Sequence, residues 1–357
     1  MRKVFAGSGA PAVGDLSLDI PAGQIVVLVG PSGCGKTTTL KMINRLIEPT
    51  GGEIFVLGTE VHSVSAPVLR RSIGYVIQQI GLFPHRTIEA NMATVPRLLG
   101  WDKARIRARV DELADLVGLD RGLLRRYPSE LSGGQQQRVG VARALAADPP
   151  ILLMDEPYSA VDPIVRAHLQ DELLALQRRV HKTIVLVTHD IDEAIKLGDQ
   201  VAILNVGGVL EQYATPAEVL RAPASEFVAR FLGRERGLKR LALIRVDEVP
   251  RVDGPVVDIN ATPDEARAVM DKWNVDWAGV RDGHRLLGWA SGRDLDGRAR
   301  VGDAPLQPFQ SWVTTETTLR EALDVLLNSS TRVAVVVDDD NNYLGMLTVE
   351  QISEGIL

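Results

Sequence analysis

The chain has 357 residues, 45% of them apolar, which is enough to bury a full core and to divide into two domains. Its formal charge of −6 is unevenly spread, with 12 Lys/Arg against 20 Asp/Glu from Arg240 onward and 28 against 26 before it, so no strongly basic face for nucleic acid is implied. No run approaches the roughly 18 consecutive apolar residues of a membrane span, no basic-then-apolar leader opens the chain, and a single cysteine excludes an internal disulfide, so a cytoplasmic, reducing setting is expected.

Up to about Gly233, short apolar runs alternate with helical patterns, as in a mostly parallel α/β sheet. Ile25 to Val29 is the first such run, and it leads into Gly30-Pro31-Ser32-Gly33-Cys34-Gly35-Lys36-Thr37, followed by a helical start at Thr38. The stretch fits G-x-x-x-x-G-K-[ST] in its required place between strand and helix. Its glycines let backbone N–H groups close around phosphate, the helix N-terminus favours negative charge, Lys36 reaches the β/γ oxygens and Thr37 ligates Mg²⁺. Cys34 reads as a small side chain tolerated between two loop glycines rather than as a redox switch.

Between Pro84 and Gly134 the pattern turns helical. Ile106, Val110, Leu113 and Val117 recur at helical spacing with charges between them, which predicts a helical subdomain over about 84–140 inserted into the sheet domain. Leu131-Ser132-Gly133-Gly134-Gln135-Gln136-Gln137-Arg138 then reads as a helix start capped by Ser132, with two glycines that let an anion approach the backbone closely. Two further buried runs end in polar residues: Ile151 to Met154 runs into Asp155-Glu156, and Ile184 to Val187 into Thr188-His189-Asp190. Strand ends in open α/β sheets deliver their residues to one ligand-binding edge. There Asp155 is expected to hold Mg²⁺ through water and Glu156 to polarise an attacking water beside the γ-phosphate.

Arg234 to Arg240 reads as a charged stretch, with a linker expected over 236–243. Beyond it lies a weak internal repeat of about 56 residues, giving units of about 244–300 and 301–357. Thr262-Pro263-Asp264-Glu265-Ala266 matches Thr317-Thr318-Leu319-Arg320-Glu321-Ala322 loosely, and Gly288 to Leu295 matches Gly345 to Ile352.

With these motifs in hand, residues 1–235 resemble the nucleotide-binding subunit of an ABC transporter. The resemblance implies a P-loop NTPase fold of ABC type followed by a smaller α/β module. It implies ATP and Mg²⁺ as cofactors and a two-fold, head-to-tail homodimer in which Ser132, Gly133, Gly134 and Gln135 complete the partner's ATP site. It further implies Gln78 as the residue sensing Mg²⁺ and the membrane partner, Asp162 as a cross-dimer coupler, and His189 as the γ-phosphate contact. The aromatic that stacks on adenine falls at Phe5. The family's first strand normally precedes that aromatic by about ten residues, so here it is short or absent. Either the true start lies upstream or the adenine side of the pocket is weakened.

The stretches Ile73 to His85, Asp155 to Pro163 and Phe231 to Arg240 resemble the ATPases of glycine betaine/choline/carnitine osmoprotectant importers, and the tail resembles their tandem cystathionine-β-synthase (CBS) modules. The resemblance implies transmembrane permease subunits, an indirect periplasmic or extracellular solute-binding protein, and a place at the inner face of the cell membrane. Ser291 and Asp294 become ribose contacts of a regulatory adenine nucleotide. The second copy keeps Thr348 but has Gln351 where Asp294 stands. Trp273, Trp277, Trp289 and Trp312 read as core packing rather than a quaternary-ammonium cage. Arg281, Arg285, Arg293, Arg298 and Arg300 form a locally basic stretch that, in a tail of net charge −8, reads first as a solvated face and second as a salt-screened contact with anionic lipid. A soluble ABC ATPase of translation or DNA repair, a nucleotide-sensing regulator, and an importer of another solute are the competing readings. The first would carry a second cassette or a long coiled coil, and the regulator would lack Lys36, Asp155, Glu156 or His189.

Overall fold

A computed structural model describes every residue except Ser8, Gln79, Ile80, Ala160 and 355–357. Gln79 and Ile80 of the Ile73–His85 stretch, Ala160 of the Asp155–Pro163 stretch and the last three residues of the 301–357 repeat therefore lie outside the described residues. The chain divides into two compact units, Met1–Gly233 and Arg234–Leu357.

In the first unit the buried apolar runs become adjacent strands of a six-stranded sheet. Their order across the sheet is Ile73–Val76, Ile151–Asp155, Thr183–Thr188, Ile25–Val29, Gln200–Asn205 and Val209–Ala214. The first five run parallel and the last is antiparallel to its neighbour. Ile25–Val29 lies inside the sheet and is buried at all five positions, as a strand covered on both faces must be. Register decides where the chemistry emerges. Val29 pairs with Thr188, Asp155 with Val187 and Val76 with Met154. Gly30, Glu156, His189 and Gln78 consequently leave the sheet within a residue or two of one another on the same edge.

The inserted region holds the Lys103–Leu116 helix, which buries Ile106, Val110, Leu113 and Ala114 and is capped by Asp102, whose Oδ1 accepts the Arg105 N–H at 2.9 Å. The Gly133–Leu145 helix follows. Among the described residues at the start of the chain there is no regular strand, only isolated bridges from Arg2 to Gly51 and from Lys3 to Val13.

The second unit is built from two β-α-β-β sets with the same order and the same strand senses. Val256–Asp258 lies parallel to Trp277–Asp282, which pairs antiparallel with Arg285–Ser291. Trp312–Thr314, Ala334–Val337 and Tyr343–Leu347 repeat that arrangement. Each set has a helix between its first two strands, Pro263–Trp273 or Leu319–Leu327, opened by a Thr-x-x-Glu capping box at Thr262/Glu265 or Thr318/Glu321.

The structure departs from the sequence reading at the edges of these sets. Arg236–Leu241, expected within a linker, is a helix, and Leu241 is 1% exposed in a core with Val246, Val249, Leu319 and Val336. Val246 and Val249 thus serve the second set, although they precede the first. Val301 and Ala304 in turn are buried with Val257, Ala266 and Ala278 of the first set. Short 3-10 turns at Val246–Glu248 and Val301–Asp303 make this exchange. Trp277 and Phe309 are buried and meet edge to face with centroids 5.8 Å apart, and Trp289 joins at 6.5 Å, an arrangement of packed rings rather than an open cage; Trp312, expected in the core, is instead 41% exposed at its rim.

Candidate functional site at the sheet edge

The loop after Ile25–Val29 is shaped by what its glycines avoid. A Cβ on Gly30 would lie 2.1 Å from the Leu204 carbonyl oxygen, and one on Gly35, at φ +95°, would lie 2.4 Å from that of Ala12. Between them Cys34 is fully buried beneath the loop, while Ser32 and Gly33 face solvent and Pro31 is half-buried. Lys36 turns back into the loop, donating from Nζ to the carbonyls of Gly30 at 2.7 Å and Pro31 at 3.0 Å, with the Cys34 Sγ 3.6 Å away. It is only 6% exposed, so its charge is held by oriented backbone dipoles. Thr37 and Thr38 follow on the first turn of the helix, both half-buried.

Thr37 Oγ1 donates to Asp155 Oδ1 at 2.7 Å, tying the loop to the end of the Ile151–Asp155 strand. The other Asp155 oxygen lies 3.5 Å from the Tyr75 hydroxyl. Burial and the neighbouring Asp155 charge push the Tyr75 phenol well above its ordinary range, so it stays a neutral donor. Glu156, the next residue, sits at φ 44°, a left-handed conformation unusual for a side-chain-bearing residue, with its N–H donating to the Val187 carbonyl at 2.9 Å. Its Oε2 is a meeting point. Gln78 Nε2 donates to it at 3.3 Å, and His189 Nδ1 stands 3.3 Å from the same oxygen.

The segment after His189 is fixed from below. Asp190 caps the Ile191–Leu197 helix by accepting the Asp192 N–H at 2.9 Å, and it pairs with Arg166 at 3.6 Å. Glu193 is buried one turn on, its carboxyl pushed upward by burial while Thr188 and Gln170 hydrogen-bond to it. Neither Tyr75 nor Glu193 announces itself in sequence, where a tyrosine in a strand and a glutamate in a helix read as ordinary packing and surface.

The Leu131–Arg138 motif forms a separate cluster. Ser132 caps Gly133–Leu145, its Oγ accepting the Gln135 N–H at 3.3 Å while Gln135 Oε1 accepts the Ser132 N–H at 2.9 Å. Ser132 and Gly133 are exposed, whereas Gly134 faces the neighbouring helix, where a Cβ would come 3.0 Å from Val165. Among the described residues no hydrogen bond joins this tip to the Gly30–Thr38 loop. Asp162 caps the Pro163–Val180 helix through the Val165 N–H at 3.1 Å and is exposed. Phe5 is 41% exposed, with the Lys3 ammonium 5.2 Å from its ring centroid. Lys3 is bonded to Ala12 and Val13, the segment against which Gly35 packs, so Phe5 belongs to a strip lying beside the phosphate loop.

In the second unit Ser291 donates to Asp294 Oδ2 from both Oγ, at 2.6 Å, and N, at 2.9 Å, which holds the Asp294 carboxyl below its usual range. Thr348 does the same to Gln351 Oε1 at 2.6 and 3.1 Å. The two turns differ in that the Thr348 hydroxyl also meets the Glu350 carboxylate, whereas Asp294 supplies the carboxylate of the first turn itself.

The ABC transporter family model matches residues 13–159, and the CBS domain model matches residues 304–357. The chain is 48% identical over 351 residues to the osmoprotectant import ATP-binding protein OsmV of Salmonella typhimurium, covering 98% of this chain and 92% of that protein. This chain is an ABC transporter ATP-binding protein of the osmoprotectant-import family. Another member, the glycine betaine/carnitine/choline transport ATP-binding protein OpuCA of Bacillus subtilis, is 45% identical over 353 residues, 98% of this chain and 92% of the relative. The glycine betaine uptake ATP-binding protein YehX of Escherichia coli is 53% identical over 252 residues, 70% of this chain and 81% of the relative. Among solved structures, the dimeric ABC transporter cassette MJ0796 is similar with a TM-score of 0.54 and 33% identity, covering 60% of this chain and 96% of that one. A second structure of that dimeric cassette, with the same TM-score, identity and coverage, is a post-hydrolysis state bound to ADP and phosphate. The ABC-type ATPase fold and the ATP-binding transport role expected from the motifs therefore hold.

Proposed function

We propose that this ABC ATPase powers uptake of a quaternary-amine osmoprotectant such as glycine betaine, choline or carnitine, working as a two-fold dimer beneath separate membrane permeases. The observation that carries the catalytic reading is the convergence of Gln78 and His189 on one Glu156 oxygen, next to the Thr37–Asp155 bond. A carboxylate so held is aimed rather than free to swing, and it can orient and polarise a water attacking the terminal phosphate. The loop N–H groups and Lys36 bind the phosphates. To reach a γ-phosphate, Lys36 exchanges the Gly30 and Pro31 carbonyls for phosphate oxygens, a swap of weak partners for charged ones.

Mg²⁺ suits the residues present, since Thr37 Oγ1 and Asp155 Oδ1 are hard oxygen donors already 2.7 Å apart, with Gln78 close behind through Glu156. When bound, the ion supplies neutralisation of the charge that builds on the phosphate oxygens. The exposed Ser132–Gln135 tip and Asp162 reach the partner's nucleotide across the dimer, and Phe5 stacks on its own adenine. A solute-binding protein outside the membrane delivers the cargo, the subunit sits on the membrane's inner face, and a regulatory nucleotide binds at Ser291 and Asp294.

Glu156→Gln should keep ATP binding but lower turnover on the order of 10²–10⁴-fold and accumulate an ATP-dependent dimer on size exclusion. Wild-type turnover by that variant, or full turnover by a monomer carrying Ser132→Arg, would overturn the reading. Import assays with labelled compatible solutes, run with the cognate membrane and binding proteins, test the cargo.

A further inference from the structure

One cavity in the first unit serves none of this chemistry. It holds about 300 Å³, at the small end of the range for ligand sites, and lies among the end of the Lys103–Leu116 helix, the Gly133–Leu145 helix and the Pro163–Val180 helix. The last two helices are pinched together at Gly134, where a Cβ would come 3.0 Å from Val165, and one to two turns farther along they separate around the cavity. Its wall is largely apolar, with Val117, Val141, Leu169 and Leu173 prominent and the buried Tyr158 beside them.

Gln137 lines this cavity at 2% exposure, and its Nε2 has no hydrogen-bond partner. A buried amide left without an acceptor is costly, so a side-chain rotation that brings the enclosed Gln137 amide to an oxygen atom in the cavity gains both the bond and relief from that cost. Charge at the rim selects among oxygen-bearing ligands. The acidic groups are already engaged, Asp115 by Arg121 and Glu172 by Arg138, whereas Arg179 makes no ion pair among the described residues. A water satisfies the amide but leaves the apolar wall unused.

We infer that this cavity is a binding site for a small carboxylate with a short apolar tail, its head facing Gln137 and Arg179 and its tail against Val117, Val141, Leu169 and Leu173. The location gives an occupant leverage. One bounding helix ends at Ser132 and the other at Asp162, so a molecule seated past the Gly134–Val165 pinch acts on the angle between the two tips.

Hexanoate, acetate and hexylammonium added to the full-length protein, with binding followed by NMR on the Gln137 side-chain amide, test the assignment. The Gln137 signal is identified by its loss in Gln137→Leu. Hexanoate should shift that signal saturably with a Kd on the order of 1 mM, and acetate and hexylammonium should bind at least about tenfold more weakly. Val141→Phe, which fills the cavity, should abolish hexanoate binding, and Gln137→Leu, followed through neighbouring methyl signals, should weaken it on the order of tenfold. Equal responses to the three probes, no saturable shift with hexanoate, or an unchanged hexanoate affinity in Val141→Phe would overturn the proposal. The probe comparison needs only the native chain, so it decides the question even if a variant misfolds.

Discussion

Glu156 shows how single residues carry this site, because its left-handed backbone turns the side chain back toward Gln78 and His189 instead of onward along the strand. That Thr37 and Asp155 belong to one edge is legible in sequence, since each follows a buried run in a local motif, although the bond between them is not. The convergence on Glu156 is not legible either, because it depends on the register between the Ile151–Asp155 and Thr183–Thr188 strands, which no local pattern encodes. Gly30 is the least replaceable residue of the loop. Gly30→Ala drives a methyl into the Leu204 carbonyl, and should lower stability by about 2 kcal/mol or more in urea unfolding and weaken ATP binding along with it. Away from the site, His62 lies between Glu60, 2.7 Å from Nδ1, and Glu48, 2.8 Å from Nε2, with Arg45 behind Glu48. Glu60 foremost, then Glu48, raises the imidazole above its ordinary 6.5. Its contribution to stability is complete below about 6.5 and fades as pH rises through the raised value, whereas the lowered Glu60 and Glu48 contribute above about 4.5 and fade as pH falls. NMR titration of His62 should give a midpoint above 6.5 that drops in Glu60→Gln. A midpoint unmoved by that change contradicts the pairing.

At the level of elements, the pattern of apolar runs and helical spacing was enough to anticipate the parallel strands and the helical insertion, since burial on both faces writes itself into composition. The ends of the second unit's repeats were harder to read. Val246 and Val301 each stand in a three-residue turn too short to show periodicity, and each is buried with the set that does not contain it by sequence order. Arg236–Leu241 was disguised by its charges, because one buried leucine on a six-residue helix leaves no apolar stripe to detect. Leu241→Ala separates the two descriptions. A linker residue should tolerate it within about 0.5 kcal/mol, but this buried one should cost about 2–5 kcal/mol when unfolding of the second unit is followed by tryptophan fluorescence.

For the molecule as a whole, the acidic tail and the near-neutral ATPase unit are separate compact bodies that meet at Gly233–Arg234. Removal of the tail belongs at that boundary, because a cut at 240 would leave part of the Arg236–Leu241 helix on the ATPase and strip it from the core it fills. If the tail senses ionic strength, a reconstituted transporter shortened to residues 1–233 should keep its ATP turnover and lose its dependence on salt. Retained dependence places the sensor elsewhere. The Ser132–Gln135 cap has a bearing on how two such molecules come together. Ser132 and Gln135 already answer one another within a single copy, so the tip is set before an incoming neighbour arrives, with no loop to tame. If two copies pair as proposed, they give up chiefly tumbling and drifting freedom, and holding them side by side beneath a permease would then be the natural throttle on how often the engine fires.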